Sequence, residues 1–473
     1  MAVKRLLTGF PKGELSPNME GRPDLASYFE GASLLENWTI LKTGGITRRP
    51  GTRFVAEVKD SSKDTIIWPF EPSVDDALIV ELGPGYSRFF KNKAPVGNPP
   101  YEIAAPYTEL QLRDVHFTQS VDVIFAFHGD VRQQRLSRIS DTLWTWLPIF
   151  YDPPPSFEAD ADISGGTVTL TPGATTGNNI LFHASAAVFL EADVGRIIAF
   201  GSSRAIIRTF GSSAGDVGSP NDDVRCDILD AFPNTDPIAA GQWLLRLSPQ
   251  TTLDPNIKAP AGAQVTFVAG ANAFRSANVG QFISVYGGVA RIDFVDSALQ
   301  VRGELLGEMT GTDDANPAAA PAGAWSLETE SWSTINGFPR TGELFQGRLG
   351  QASTHAQKTT WWLSDPDDFD SYVLGISADN AIEYTMATRA LNAIMWLADN
   401  INLFVGTKGS EHEVSSGKDN EPIGGDRVPL VERVDTQGSA AIQPIVIGRR
   451  LLFVDRSRRL IISLAFNWEA DGF

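Results

Sequence analysis

From about residue 54 to 91 the chain reads as short apolar runs, "TRFVAEV", "TIIWPF", "ALIVEL" and "YSRFFK", separated by the turn-forming stretches "DSSKD", "SVDD" and "GPG". Strands of this length at roughly ten-residue spacing build antiparallel meanders, sandwiches or propeller blades. Long helical periodicity is nearly absent. The 43 glycines and 29 prolines are spread along the sequence, and 27 Phe and 11 Trp suit pleated, half-buried surfaces. "GRRLLFVDRSRRLIIS" (448–463) is a strand, turn, strand unit of the kind found in a propeller blade. The expected fold is mostly β: a β-propeller-like body with inserted β-sandwich-type modules. Residues 107–117 are expected to start with a short helix before the alternation at Val121, Val123 and Phe125.

Two composition shifts divide the chain. Pro153, Pro154 and Pro155 precede an acidic, Gly-containing stretch, and "MTGTDDANPAAAPAGAWSLETESW" (309–332) is rich in Ala, Pro and Gly. Between them lies an internal repeat. "AVFLEADVGRIIAFGSSRAIIRTF" (187–210) parallels "NAFRSANVGQFISVYGGVARIDFV" (272–295), with Ala192-Asp193-Val194-Gly195 matching Ala277-Asn278-Val279-Gly280. Two copies are too few for a solenoid, so the repeat predicts a duplicated β-module. The expected domains are 1–152 and 311–473, the two parts of the body, with the inserted pair at 153–310. A strand so close to Phe473 predicts a natural chain that extends further.

A net charge of -18 argues against a DNA-wrapping surface, which needs concentrated Lys and Arg. It suits a wall along which DNA slides without adsorbing. The single cysteine, Cys226, excludes an intrachain disulfide framework and reads as a small buried residue made in a reducing compartment. No apolar stretch reaches the roughly 20 residues of a membrane span, and the start lacks a signal-peptide core.

No motif announces chemistry. The histidines (His116, His128, His183, His355, His412) show no metal-ligand spacing, and "SEHEV" around His412 reads as a solvated turn. There is no GxSxG, HExxH or phosphate loop. Asp365, Asp367, Asp368 and Asp370 could hold calcium, but the loop lacks the Gly and Glu of an EF-hand and reads as an acidic turn. Trp361, Trp362, Trp396 and Trp468 read as core. No enzyme, cofactor or metal is expected.

Two stretches carry a family resemblance. The first is "FPKGELSPNMEGRPDLASYFEGASLLENWTILKTGGITRRPGTRFVAEV", through Gly13, Ser16, Pro17, Arg22, Asp24, Tyr28, Asn37, Gly44, Gly45, Arg48, Arg49, Pro50, Gly51 and Thr52. The second is "WSTINGFPRTGELFQGRL" (332–349), with Pro339, Arg340 and Arg348, followed by "TTWWLSDPDDFDSY" and by "DNAIEYTMATRALNAIMWLADNINLFVGTKGSEHEV" (379–414). In this order they resemble the tail nozzle proteins of short-tailed bacteriophages, also called tail tubular protein B or packaged-DNA stabilising tail proteins. The chain departs from the family at Gly347 and at "GQAS" (350–353).

The resemblance implies a homo-hexameric ring in the virion tail, assembled in the host cytoplasm. Its partners would be the adaptor or connector ring above, tail fibre or spike proteins, and the phage DNA that it retains and later conducts without specific binding. The alternative is a host-glycan-binding or glycan-cleaving tail component. The Arg48-Arg49 pair, with Pro50 and Gly51 behind it, reads as a turn that starts a strand, the guanidiniums bonding carbonyls or a neighbour's carboxylates. A solvated basic turn and a phosphate contact are the other readings. The narrowest part of the lumen is expected to be acidic or polar.

Overall fold

The computed structural model describes residues 9–151, 153–158, 160–211, 221–309, 317–375, 377–387, 392–417 and 421–465. Two compact units emerge, residues 1–57 and 58–473. Strands dominate, and the described helical segments are short 3-10 turns. The mostly-β expectation therefore holds.

In the first unit, Gly13–Glu14 pairs in parallel with Gly31–Ala32, and Trp38–Ile40 forms a hairpin with Ile46–Arg48. Gly44, at φ +84°, gives the hairpin its left-handed turn residue. Among the described residues of this unit only Gly13, Gly31 and Gly44 are buried. Leu34, Trp38, Ile40, Leu41 and Phe54 are exposed. Among its described residues the unit has backbone order but no apolar core. The expected strand "TRFVAEV" is not a strand: its residues are exposed and unpaired. Its alternation has no sheet to bury against.

The second unit contains five antiparallel meander sheets in chain order. Sheet I holds Ile66–Ser73, Asp76–Gly83, Tyr86–Lys91 and Ala94–Pro95, with Glu102–Ala104 paired to Tyr86–Lys91. Sheet II holds His116–Ser120, Val123–His128, Val131–Ser140 and Leu143–Pro148. Sheet III holds Thr341–Phe345, Arg348–Ala352, Thr360–Leu363 and Ile382–Thr385. Sheet IV holds Ile394–Asp399, Leu403–Thr407, Glu411–Ser415 and Leu430–Asp435. Sheet V has three described strands, Ile445–Ile447, Arg450–Val454 and Ile461–Ala465.

Successive sheets pack face to face. Phe70, Val80 and Phe89 of sheet I meet Phe117, Leu136 and Trp144 of sheet II. Phe125 and Phe127 of sheet II meet Leu349 and Trp362 of sheet III. Trp361 and Leu363 meet Leu397 and Val405 of sheet IV, and Trp396 and Phe404 meet Leu451 and Phe453 of sheet V. Adjacent side chains on a strand point to opposite faces. Ile124 and Ala126 therefore serve one core while Phe125 and Phe127 serve the next, and Trp361 and Trp362 part in the same way. Sheets covered on both sides need nearly continuous apolar runs, which "VIFAF" and "TTWWL" supply.

The first strands of sheets II to IV are tied together, and the segment leading into sheet V joins them. His116 Nδ1 lies 2.9 Å from Thr341 Oγ1, Thr118 Oγ1 donates to Glu343 Oε1 at 2.8 Å, and Leu397 N reaches Thr341 Oγ1 at 3.4 Å. Phe117 N donates to Gln443 Oε1 at 3.0 Å.

Two further sheets lie between sheets II and III in the sequence. The first runs in the order Leu170–Pro172, Ile180–Ala184, Asp223–Asp230, Ser203–Phe210, Ile197–Phe200, Leu244–Arg246. The second repeats that order with Leu253–Pro255, Gln264–Ala269, Gln300–Gly307, Gly288–Ser297, Phe282–Val285 and Trp325–Glu330, and adds Ser156–Phe157 at its edge. Equivalent hydrogen bonds mark the copies. Gly195 N donates to Ile207 O and Gly280 N to Ile292 O, both at 2.8 Å. The two glycines have φ +93° and +83°. The Asp193 and Asn278 side chains accept from the backbone N–H groups of Leu190 and Arg275, three residues upstream. Each copy is one hydrogen-bonded sheet around its own core rather than the expected two-sheet sandwich. Register shifts in the longest strand pair of each copy supply bends that let one sheet wrap a core.

At the junction of the two copies, Asp193, 1% exposed, pairs with Arg196 at 2.8 Å and with Arg275 of the second copy at 2.5 Å. The chain enters and leaves the pair through one neck: Ser156 and Phe157 pair with Glu330 and Thr329, and Ser331 N donates to Pro155 O at 2.8 Å. The inserted sheets thus extend to Glu330, past the expected limit at 310. Residues 317–330 belong with the insert, because the Ala/Pro/Gly-rich stretch precedes its last strand and not the body.

The expected short helix at 107–117 shrinks to the 3-10 turn Leu112–Asp114, and His116 and Phe117 already lie in a strand.

Candidate functional site

The turns at one end of sheets II, III and IV frame an open cleft of about 360 Å³. The turn after Val123–His128 gives His128, Gly129 and Asp130. Arg340 immediately precedes sheet III, and the loop between its second and third strands gives Ser353, Thr354, His355 and Lys358. Asp114 and Ala393 complete the wall ahead of sheets II and IV.

Backbone bonds hold these loops. Phe338 N donates to Gly129 O at 2.9 Å, and Arg340 N to the carbonyls of Ala352 and Ser353 at 3.1 Å each. Gln357 N donates to Thr354 Oγ1 at 2.9 Å, which closes the loop on itself. Gly337, at φ +80°, leaves space that a Cβ would take from the His355 backbone N and ring, both within 3 Å of it.

The charges are unevenly satisfied. Asp130 Oδ1 lies 3.0 Å from His355 Nε2, a surface pair worth at most about 1 kcal/mol. Asp130 N donates to His128 Nδ1 at 3.1 Å, so the ring proton of neutral His128 sits on Nε2. Burial holds the His128 pKa below its ordinary value, with the Arg340 charge adding to the shift and the nearby acids opposing it. His116, fully enclosed behind the cleft, is pushed down to about 3, mainly by burial and then by Arg340. Both rings are therefore neutral near pH 7, and the fixed positive charge of the cleft comes from Arg340 and Lys358. The Arg340 guanidinium contacts the Met395 sulfur at 3.9 Å and meets no carboxylate among the described residues.

Of the residues singled out from the sequence, Arg340 reaches this cleft. Pro339 sits beside it in sequence. Arg348 is 3% exposed and serves as a clamp: its guanidinium donates to the carbonyls of Ser364 (2.7 Å), Asn380 (2.8 Å) and Ala378 (2.7 Å). Arg22 and Asp24 form an exposed bidentate pair at 2.9 and 2.7 Å, which lowers the Asp24 pKa. Asn37, at φ +63°, accepts from Arg49 N at 2.9 Å, and Gly45 O accepts from Leu41 N at 2.8 Å. Arg48 ends the hairpin strand Ile46–Arg48, Arg49 still bonds Asn37 through its backbone N–H, and Pro50, Gly51 and Thr52 follow in exposed, unpaired chain. The pair therefore closes a strand instead of opening one. Neither guanidinium bonds a carbonyl or carboxylate among the described residues.

The aspartate loop does not converge. Asp370 pairs with Arg135 at 2.5 Å, and Asp365 accepts from Ser371 at 2.5 Å. His412 and Glu411 are buried on a strand, not on a solvated turn, and Glu411 accepts from Ser439 at 2.7 Å. Cys226 is buried, as expected. Trp361, Trp362 and Trp396 are buried, and Trp468 lies outside the described residues.

Sequence reading missed both the cleft and the gathering of His183, Asp222 and Asp223, whose ligand atoms lie within 4.8 Å of one another. Neither has a local spacing signal, because each unites segments distant in sequence. No helix among the described residues is long and apolar enough to cross a membrane. No protein-family model matches the chain, and no curated protein matches it.

Proposed function

We propose that the chain is a structural, non-enzymatic subunit of the tail nozzle of a short-tailed bacteriophage. In this reading, sheets I to V form a propeller-like body and six copies make a ring that retains packaged DNA and conducts it at ejection. The observation that carries the assembly role is the first unit, where Leu34, Trp38, Ile40, Leu41 and Phe54 are exposed and no apolar side chain is buried among the described residues. A segment of this size without buried apolar area does not hold itself together by the hydrophobic effect. Contiguous exposed apolar surface marks an interaction site. The stacked meander sheets, their linked first strands and the resemblance in residues 10–58 and 332–414 support the same reading. Native mass spectrometry and averaged electron images of the protein with its adaptor ring test it: six subunits are expected, and a stable monomer refutes it.

A further inference from the structure

We propose that the cleft between the turns of sheets II, III and IV is a binding site for a tetrahedral oxyanion, a phosphate or sulfate group. This goes beyond the ring reading and does not depend on it. The first argument is Arg340. In a chain with 57 acidic and 39 basic side chains, carboxylates are abundant. Most of the other half-buried arginines use them: Arg88 meets Glu102, Arg132 meets Glu330, Arg138 meets Asp76, and Arg246 meets Asp160, whereas Arg225 donates to the Asn179 carbonyl. Arg340 lines the cleft and has only a thioether at 3.9 Å. A guanidinium kept from carboxylates presents its fork of donors to an outside oxyanion.

The second argument is the company it keeps. Lys358 adds a second cation without an ion pair among the described residues. His128 spends its Nδ1 lone pair on Asp130 N, which leaves Nε2–H as its remaining donor. Gly129 keeps the floor open: a Cβ there would lie 3.3 Å from His355 Nε2 and 3.9 Å from the Arg340 Cβ. The opposing charges are Asp130, already engaged by His355 Nε2 at 3.0 Å, and the exposed Asp114. A volume of about 360 Å³ admits a phosphate or sulfate group with part of what carries it.

The test is titration calorimetry of the full chain at low salt with inorganic phosphate, sodium sulfate, sodium acetate and a short DNA duplex. Phosphate and sulfate should bind at one site, with acetate at least tenfold weaker. Lys358→Met should weaken binding five- to tenfold, and Arg340→Met should abolish it. Asp114→Asn should strengthen it two- to fivefold, because it removes the opposing charge. Arg427→Met, remote from the cleft, should change nothing. Lys358 and Asp114 are exposed, so these two variants carry the test if Arg340→Met fails to fold. The proposal is overturned if phosphate and sulfate do not bind, if Lys358→Met and Asp114→Asn leave the affinity unchanged, or if only the duplex binds.

Discussion

Glu343 and Glu383 should make sheet III less stable as pH rises. Glu343 lies on the first strand and Glu383 on the fourth, paired in register with Trp362. Burial pushes both carboxyls from an ordinary 4.5 up to about 7, against the opposing effect of hydrogen bonds such as Thr118 Oγ1 to Glu343. Glu383 also has one oxygen, Oε2, shielded from water without a partner. A carboxyl whose pKa is raised on folding contributes its full stability below the unfolded value, near 4.5. That contribution is lost as pH climbs through the folded value near 7. A rise of this size corresponds to at most ~3 kcal/mol per group. Both side chains keep some solvent contact, so ~1–2 kcal/mol each is the expected loss between pH 5 and pH 8.

Glu343→Gln and Glu383→Gln keep the shape and an acceptor oxygen but do not ionise. Each should match wild type within about 0.5 kcal/mol at pH 5 and exceed it by ~1–2 kcal/mol at pH 8. Hydrogen exchange read by mass spectrometry on peptides covering 341–352, 360–363 and 382–385 gives the local opening free energy. Comparing variant with wild type at the same pH cancels the intrinsic exchange rate. If all three proteins lose protection in parallel from pH 5 to pH 8, the reasoning fails.

Three further outcomes follow from the packing. Gly195→Ala should cost more than Gly280→Ala: both add the ~1–2 kcal/mol of a left-handed backbone, but only the first crowds Gln250 Cγ, at 3.2 Å; thermal unfolding of the two variants measures the difference. Arg348→Met should strip three carbonyls of their donor and cost ~2–4 kcal/mol, read as faster proteolysis within 364–380. Asp193→Asn should destabilise the junction of the two copies by ~3–5 kcal/mol, because Arg196, 3% exposed, loses its counter-charge, while Arg275→Met should cost less; calorimetric unfolding ranks them.

What was legible in the sequence was local. The strand runs of sheets I to V and the paired Ala-Asp/Asn-Val-Gly turns each depend on neighbouring residues, and the structure places them in strands and turns. The run "TRFVAEV" misled because alternation records a tendency to pair, and pairing needs a partner strand that the described residues do not offer. The stretch before residue 330 misled because Ala, Pro and Gly mark a loop without saying which sheet the next strand joins. Glu411 and His412 were read by polarity, yet Ser439 and a strand position make them interior. The cleft was invisible because its charges come from residues 114, 128–130, 340 and 353–358, and no spacing rule links them. The aspartates at 365–370 looked like a cluster, but Arg135 and Ser371 draw them apart.

The neck at Ser156–Phe157 and Glu330–Thr329 bears on the order in which the protein assembles. Sheets II and III share a core but are separated in the chain by everything from Pro148 to Thr341. A flexible loop of that length would tax every attempt to bring Phe127 against Leu349, since closure entropy grows by about 0.6 kcal/mol per doubling. Once the two copies fold on their own cores, their ends are already adjacent. Sheet II then meets sheet III across what is in effect a tight hairpin. The insert thus shortens the search instead of lengthening it. By the same logic, a designed turn joining Pro155 to Ser331 should leave sheets I to V free to stack.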